Sequence, residues 1–281
     1  MFDKSTKVDL HMHTTASDGT WTPKEIFGKI IGENIKIFSI TDHNSINSIQ
    51  DVSYYSKKAG LAFIPGVEID STCENVTYHI LGYGIDHMNK SLNNLILKNM
   101  NIYRQRDRES IEIIEKKYDV SLLDEYEHYT KNPKRGGWKS ISFLIDKNFC
   151  KTYKDLWGLF EGFDNPYLRK NFSPPEKVIE IIRQAGGKAV LAHPGANLYG
   201  NNYKKAVRLI SKSGIDGIEC YHPDNNPEVS KYCVEFCKRN NMLITGGSDC
   251  HGDFVSERSL GYPDVRLGMI NIDEIIKQLT V

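Results

Sequence analysis

Short apolar runs that stop abruptly at a histidine, aspartate or glutamate recur along this 281-residue chain, and that recurrence constrains the fold more than any other feature. Lys7 to His11, Ile35 to Thr41, Ala62 to Ile69, Tyr78 to Tyr83, Lys188 to Ala192, Gly217 to Tyr221 and Met242 to Thr245 read as strands. At or near their ends stand His11 and His13, Asp42-His43, Glu68, His79, His193 and Asp249-Cys250-His251, with Asp18 close behind the first strand. Six of the nine histidines belong to this set, which random scatter would spread over helices and loops. A fold whose strands all end at one rim gathers such side chains in one place.

Between the strands the pattern turns helical, the signature of βα repeats. Thr22-Pro23-Lys24-Glu25 reads as a helix start with Thr22 as N-cap, proline in the first turn and Glu25 closing a capping box, and the helix runs to about Glu33. Ser45 to Ala59, ended by Gly60, forms the next helix. From residue 88 to 172 strands disappear: a long helix from Leu92 to Tyr118 precedes shorter ones around Lys139 to Asn148 and Tyr153 to Phe160. The rhythm resumes at Ser173-Pro174-Pro175-Glu176, read as a second capped start, and continues with helices over Tyr203 to Ser213 and Pro227 to Arg239. The expected architecture is α/β, a distorted seven-stranded (β/α)7 TIM-like barrel from residues 1–87 and 173–281, interrupted by a helical insertion over 88–172.

Composition narrows the function classes. Lys plus Arg and Asp plus Glu balance at 36 each, so no global basic field marks a dedicated nucleic-acid binder, and an anionic substrate must be attracted locally. The N-terminus lacks a signal-peptide core and no apolar stretch is long enough for a bilayer, which reads as a cytoplasmic protein without a membrane partner. The six cysteines (73, 150, 220, 233, 237 and 250) show no CxxC pairing and read as free thiols, with Cys233 and Cys237 as ordinary helix positions.

His11 and His13 are two apart on a strand end, so both point to one face and can chelate one ion, with Asp9 on the same face to orient them. An HxH pair is also compatible with two hydrogen-bonded histidines; the recurrence of such segments decides for metal. Gly19 frees a turn that brings Asp18 back over the strand end. Carboxylates and imidazoles at strand ends such as Asp42-His43 and Glu68 are costly to bury alone, and no Lys or Arg adjoins them in sequence, so a metal is the expected partner. His193 ends its strand because Pro194 cannot continue it, and Asp249 and His251 follow the flexible Gly246-Gly247-Ser248.

These segments resemble the polymerase and histidinol phosphatase (PHP) superfamily: Asp9-Leu10-His11-Met12-His13-Thr14, Thr41-Asp42-His43, His193-Pro194 and Ser248-Asp249-Cys250-His251, over residues 7 to 85 and 173 to 252. The resemblance implies a distorted βα barrel of seven strands. It implies one ion held by His11, His13, Glu68 and Asp249, a second held by His79 and His193 with Glu68 bridging, and a third held by Asp18, His43 and His251. The Ser17-Asp18-Gly19 form is similar to the branch of nucleotide phosphatases and small 5′-end exonucleases acting on 3′,5′-bisphosphates or short RNA, where histidinol phosphatases tend to carry histidine at the position of Asp18. That branch often has Gly-Arg-Pro-His in its insertion. Here the stretch reads Arg135-Gly136-Gly137-Trp138-Lys139, so the substrate contacts of that segment do not transfer.

The expected enzyme is a metal-dependent phosphoesterase using two or three divalent ions (Mn, Zn or Fe), whose mixed imidazole and carboxylate ligands suit those metals. Water activated by clustered ions supplies hydroxide near neutral pH for in-line attack on phosphorus. Asp18, His43, Glu68 and His222 are the expected catalytic residues, His222 as general acid or phosphate donor at the end of Glu219-Cys220-Tyr221. Arg104 and Arg108, one turn apart on the long helix, with Arg135 and Lys139, are the candidate contacts to substrate phosphate. Cys250 is read as a packing residue. The substrate is a small phosphorylated molecule, a nucleotide or short RNA, and no obligate protein partner is evident. Histidinol phosphate as substrate, or a non-catalytic metal-stabilised binding module, are the alternatives.

Overall fold

The computed structural model describes residues 2–168, 171–200 and 202–279. Eight strands are present among them: β1 (Val8–Asp9), β2 (Ile37–Phe38), β3 (Ala62–Phe63), β4 (Gly66–Cys73), β5 (Val76–Tyr83), β6 (Lys188–Leu191), β7 (Gly217–Tyr221) and β8 (Leu243–Gly246). They form a parallel three-stranded sheet in the order β1-β2-β3 and a five-stranded sheet in the order β4-β5-β6-β7-β8. The helices are α1 (Pro23–Gly32), α2 (Ile49–Ala59), α3 (Lys90–Tyr118), α4 (Leu123–His128), α5 (Lys139–Asp146), α6 (Leu156–Leu159), α7 (Pro175–Gln184), α8 (Tyr203–Lys212), α9 (Pro227–Arg239) and α10 (Asp273–Leu279). The α/β class expected from the sequence is what the chain adopts. None of these helices is long and apolar enough to cross a membrane.

Four local expectations need correction. The single strand read from Ala62 to Ile69 is two, β3 and β4, broken around Pro65, which has no N–H for a ladder. The rhythm is not uniformly βα: β4 and β5 form an antiparallel hairpin, Cys73 opposite Val76, whose turn residues Glu74 and Asn75 both take left-handed φ (46° and 59°) as a type I′ turn requires. In addition, β5 runs antiparallel to β6. The helix read from Ser45 begins instead at Ile49, because left-handed Asn44 (φ 44°) and the Ser48 hydroxyl, 2.6 Å from Asp42 Oδ2, hold residues 44–48 as a turn. The first capping box is present, Thr22 accepting from Glu25 N–H at 3.3 Å and the Glu25 carboxylate accepting from Thr22 N–H at 2.9 Å. Ser173 is not a cap; Pro174 holds that position, and the Ser173 hydroxyl takes Lys98 Nζ at 3.0 Å.

The sheets meet along two seams. At one, Leu10 N–H donates to Gly246 O (3.2 Å) and Met12 bridges to Cys250; at the other, His43 bridges to Glu68 and Asn44 N–H donates to Glu68 O (2.8 Å). Val8, Leu10, Ile37, Leu81, Val190 and Ala192, from strands or strand ends of both sheets, share one buried cluster. A larger cluster packs helices on the sheets, with Ile26 and Ile30 of α1, Val52 of α2, Ile182 of α7 and Val207 of α8 buried. Full burial of such a side chain stabilises the fold by about 1.5–3 kcal/mol. The segment from α3 to α6 has a core of its own, built on Ile111, Ile114, Phe143, Leu144, Leu156 and Phe160.

Candidate metal centre

Strand ends β1 and β8 are knitted side by side beyond their last ladder bonds. Asp249 N–H donates to His11 O at 2.7 Å and His13 N–H to Cys250 O at 2.9 Å, which fixes the 11–13 and 249–251 segments in register. The approach is close enough that a Cβ on Gly247 would lie 2.4 Å from His11 Cβ, so only glycine fits there. His193 (φ 28°) and Asp249 (φ 50°) are themselves left-handed, a conformation L-residues adopt at a cost of order 1–3 kcal/mol and that clusters at functional sites. Abrupt turns at strand ends thus swing both side chains inward.

Glu68 stands at the hub. Its Oε2 lies 3.2 Å from His11 Nε2, 3.3 Å from His13 Nε2 and 3.2 Å from His43 Nδ1, while Oε1 lies 3.0 Å from His79 Nδ1 and 3.1 Å from His193 Nε2. Asp249 Oδ1 faces His13 Nε2 (2.9 Å) and His11 Nε2 (3.3 Å); Asp18 Oδ2 faces His251 Nε2 (3.4 Å) and His43 Nε2 (4.0 Å). Among the described residues five groups have ligand atoms within 4.8 Å of one another: His11, His13, Glu68 and Asp249; Glu68, His79 and His193; His13, Asp18, His43 and His251; His11, Glu219 and His222; and His43, Asp70 and His79. All nine strand-end residues singled out in the sequence therefore come together in one place, and all but His79 are buried.

The donor chemistry fits divalent cations. Three imidazoles have one nitrogen tied outward, which turns the other to the centre: His11 Nδ1 to Glu219 Oε1 (3.0 Å), His251 Nδ1 to Asp249 O (2.7 Å) and His79 Nε2 toward Asp70 Oδ1 (3.3 Å). Meanwhile His13 Nδ1 and Nε2, His43 Nδ1, His193 Nδ1 and Asp249 Oδ1 are buried without a well-formed hydrogen bond. A buried polar atom left unpaired costs about 1–3 kcal/mol; His13 Nε2 and Asp249 Oδ1 offset part of that by facing each other at 2.9 Å, and His43 Nδ1 by facing Glu68 Oε2 at 3.2 Å, a crowding that an ion held between these atoms would relieve. Burial opposes the charge on Glu68, yet the imidazoles of His43, His11 and His79 hold its carboxyl well below the usual range. Burial likewise opposes a charged His13, but its bonds with Asp249 and Glu68 push it up to about 10. Burial takes His193 down to about 4.

Several partners carry no assignment from sequence. Glu219, wholly buried on β7, accepts from His11 Nδ1 and, through Oε2, from His193 N–H at 2.8 Å. It holds two candidate ligands at once; its signal is a lone glutamate inside an apolar strand. Asp70 sits two residues after Glu68 on the same strand face and accepts from the Tyr103 hydroxyl. Asp9, expected to orient the histidine rings, instead accepts backbone N–H groups of His11, Ser248 and Gly261 at 2.9–3.3 Å. Asp42 accepts from Thr14, Ser17 and Ser48 and so braces the loop that carries Asp18. At the last strand end, for which no cation partner is expected from sequence, Arg258 bonds Asp249 Oδ2 and, at 2.9 Å, Asp224 Oδ2. Against the cost of burial, Arg258 and the surrounding imidazoles hold the Asp249 carboxyl well below its ordinary range. Sequence distance hides Arg258, which lies on the loop after β8.

His222 Nε2 lies 3.2 Å from Asp249 Oδ2, and its Nδ1 accepts from Asp224 N–H at 3.0 Å, so the Nε2 nitrogen carries the proton. Over the rim lie α3 and the segment before α5. Gly136 and Gly137 (φ 68° and 62°) press against Phe254 where any Cβ would collide, and Gly137 N–H donates to Asp18 O at 2.8 Å. This docking sets Trp138 6.1 Å from the His43 ring and 4.4 Å from Tyr103, centroid to centroid. Of the four cations named in the sequence, Arg104, Arg108 and Lys139 line a cavity that also reaches His43. Arg135 lines neither this cavity nor its neighbour; it is paired with Asp146 at the partly exposed edge of the insertion. Arg106, unassigned in the sequence, is buried among Tyr103, Trp138 and Tyr167 and pairs with Asp107 at 2.9 Å.

Comparison with known proteins bears on the family and the fold. The PHP domain family model matches residues 9–213. The chain is 27% identical over 247 residues to the 5′-3′ exoribonuclease Rnm of Escherichia coli (strain K12), covering 86% of this chain and 84% of that one. It is 25% identical over 265 residues to a 3′,5′-nucleoside bisphosphate phosphatase of Chromobacterium violaceum, covering 92% and 91%. A crystal structure from Bifidobacterium adolescentis, described as a metal-dependent phosphoesterase, superposes with a TM-score of 0.80 at 23% identity, over 97% of this chain and 96% of that one, and shows the shared fold.

Proposed function

The chain belongs to the PHP domain family, and on that premise we propose that it is a metal-dependent phosphoesterase acting on a nucleotide bisphosphate or the end of a short RNA. The observation that carries this reading is Glu68, whose two oxygens each face a separate set of imidazoles at 3.0–3.3 Å, an arrangement suited to bridging two ions. His11, His13 and Asp249 complete one site, His79 and His193 a second, and Asp18, His43 and His251 a third. Bound divalent ions of the Mn, Zn or Fe type supply Lewis acidity and lower the pKa of water toward about 7.

The chain's own residues do the rest. Glu219 and Asp70 hold His11 and His79 with their free nitrogens inward. His222 carries its proton on Nε2 at the edge of the centre, where the neutral ring can donate a hydrogen bond to a phosphate oxygen. Arg106, Arg104, Arg108 and Lys139 provide positive charge in the two cavities beside His43. Two structural divisions belong to the same reading. We read the two sheets, which meet at the Leu10–Gly246 and Asn44–Glu68 contacts, as parts of one distorted barrel, and residues 88–172, several of which share a core of their own, as an inserted cover. The six free thiols suit a reducing cytoplasmic setting.

The experiment is direct: Mn-loaded protein hydrolyses adenosine 3′,5′-bisphosphate, and Asp249→Ala loses about a hundred- to a thousandfold in kcat, the scale of removing one preorganised electrostatic group. Undiminished turnover in that variant sinks the mechanism.

A further inference from the structure

Two cavities, of about 700 and 630 Å³, open beside the metal centre, and His43, Tyr103, Gln105 and Trp138 line both. The close pair Tyr103 and Trp138, with ring centroids 4.4 Å apart and planes tilted by 54°, is the wall between them. Helix α3 explains the division. With 3.6 residues per turn, Ile102, Arg106 and Glu109 fall on one flank, Met100, Arg104 and Arg108 on the other, and Tyr103 between.

The two arms differ in chemistry. The larger has Tyr103, Trp138, Tyr167 and Phe172 in its lining and, among the described residues, one cation, Arg106. The smaller has Arg104, Arg108, Lys131 and Lys139 against Asp107 and Glu127. Asp107 is already bonded to Arg106 and Glu127 to Arg108. Arg104 bonds Asn101 of its own helix at 2.7 Å, and Lys139 and Lys131 bond the carbonyls of Glu127 and Gly137. Such cations keep charge to offer a ligand.

We infer that the two arms are successive subsites for a single-stranded oligonucleotide: the terminal base stacks in the aromatic arm and the phosphates that follow run out through the cationic arm. Aromatic faces hold bases without regard to sequence, and a cationic groove tracks the backbone. A mononucleotide fills the first arm alone. A strand gains the second, so the site favours chains over single nucleotides. This rests on the phosphoesterase reading for its placement of the scissile phosphate beside His43.

The test measures kcat/KM for a 5′-phosphorylated RNA tetranucleotide and for adenosine 3′,5′-bisphosphate, in the Mn-loaded wild type and Arg104→Glu. Arg104 is exposed, and circular dichroism checks that the variant is folded. The tetranucleotide-to-bisphosphate ratio falls about tenfold in the variant, through KM, and the slope of log KM against log salt for the tetranucleotide flattens by about 0.7, the value of one phosphate contact on a single strand. An unchanged ratio, or equal loss on both substrates, overturns the assignment of the arms. If the wild type turns over neither substrate, it is the phosphoesterase reading that fails. Fluorescence anisotropy of a 3′-fluorescein tetranucleotide on metal-free protein then decides the arms: tenfold weaker binding by Arg104→Glu supports them, and equal affinity overturns them.

Discussion

The strand-end rim and the helical cover are built on opposite plans. In the rim, nearly every functional group is buried and tied to another rim group, with Glu68, Asp249 and Glu219 each serving several partners. The cover has a separate apolar core; the start of α3 reaches the main core through Leu92 and Leu95, and toward the rim itself the cover makes a small number of polar contacts. These include Gly137 N–H to Asp18 O, Asn99 Nδ2 to Asn44 Oδ1 at 2.7 Å, the Tyr103 hydroxyl to Asp70, and Lys134 to Glu25. A rim made this way holds its chemistry constant, whereas a cover attached this way can change its cavities without disturbing the rim. Changes in the rim are therefore expected to act through metal, and changes in the cover through substrate.

Short of removing one of the nine strand-end groups such as Asp249, the largest effect is expected at Glu219, a rim residue outside those nine that lies within ligand distance of His11 and His222. Glu219→Gln removes one of the two acceptors that hold His11 Nδ1 and His193 N–H. Metal affinity, read by chelator competition, weakens about 10- to 100-fold, the scale of losing a partner that orients a ligand. Unchanged affinity in a folded variant breaks the claim that the rim works as one unit.

Proton competition gives the next effect. In the metal-free protein His13 keeps its proton up to about pH 10, so metal must displace that proton and apparent affinity falls as pH is lowered, approaching tenfold per unit for one proton. For stability the sign is opposite. A folded pKa raised from 6.5 contributes stability that is present below 6.5 and lost as pH rises to about 10, so the metal-free Tm declines across that window. The metal-loaded Tm should not show that decline, and parallel curves for the two forms would contradict it.

A smaller and different effect is expected in the cover. Gly137→Ala puts a Cβ 2.7 Å from the Phe254 ring at φ 62°, a clash that destabilises docking of the segment by about 1–3 kcal/mol. This loosens Trp138 and gives up the Gly137 bond to the Asp18 carbonyl, but the loop that carries Asp18 stays braced by Asp42, so KM rises while metal content, measured by mass spectrometry, stays constant. Loss of metal in this variant would mean that cover and rim are not separable.

Legibility in the sequence divides along the same line. A side chain at a strand's end has its direction set by a two-residue period and by where the strand stops, so His11, His13, Glu68 and His193 can be placed on one rim from the sequence alone. Glu219 and Asp70 obey the same period and are open to the same reasoning; what hides Glu219 is its position inside an apolar strand rather than at its end, whereas Asp70 directly follows the strand read to Ile69. The hairpin of β4 and β5 escapes a sequence reading because its turn, Glu74-Asn75, lacks the usual glycine. In the cover, by contrast, periodicity gives a helix but not its rotation about the rim. Spacing singles out Arg104 and Arg108 as a pair one turn apart, although the cation buried against the aromatic wall is Arg106, between them. Such a choice depends on docking contacts, including the paired glycines against Phe254, that no local pattern encodes.

The smallest effect separates position in sequence from position in space. Arg135 is a candidate for substrate phosphate by its nearness to Trp138 and Lys139 in the chain, yet its guanidinium is bonded to Asp146 and lines neither cavity. A partly exposed ion pair of this kind is worth about 0.2–1 kcal/mol at most. Arg135→Ala should therefore lower Tm slightly and leave kcat and KM for adenosine 3′,5′-bisphosphate within about twofold, since about 1.4 kcal/mol is needed for a tenfold change. A tenfold rise in KM would put Arg135 back among the groups that meet the substrate. The cover would then have to close further over the rim than it does here, and its cavities would be defined by motion rather than by the fixed wall of Tyr103 and Trp138.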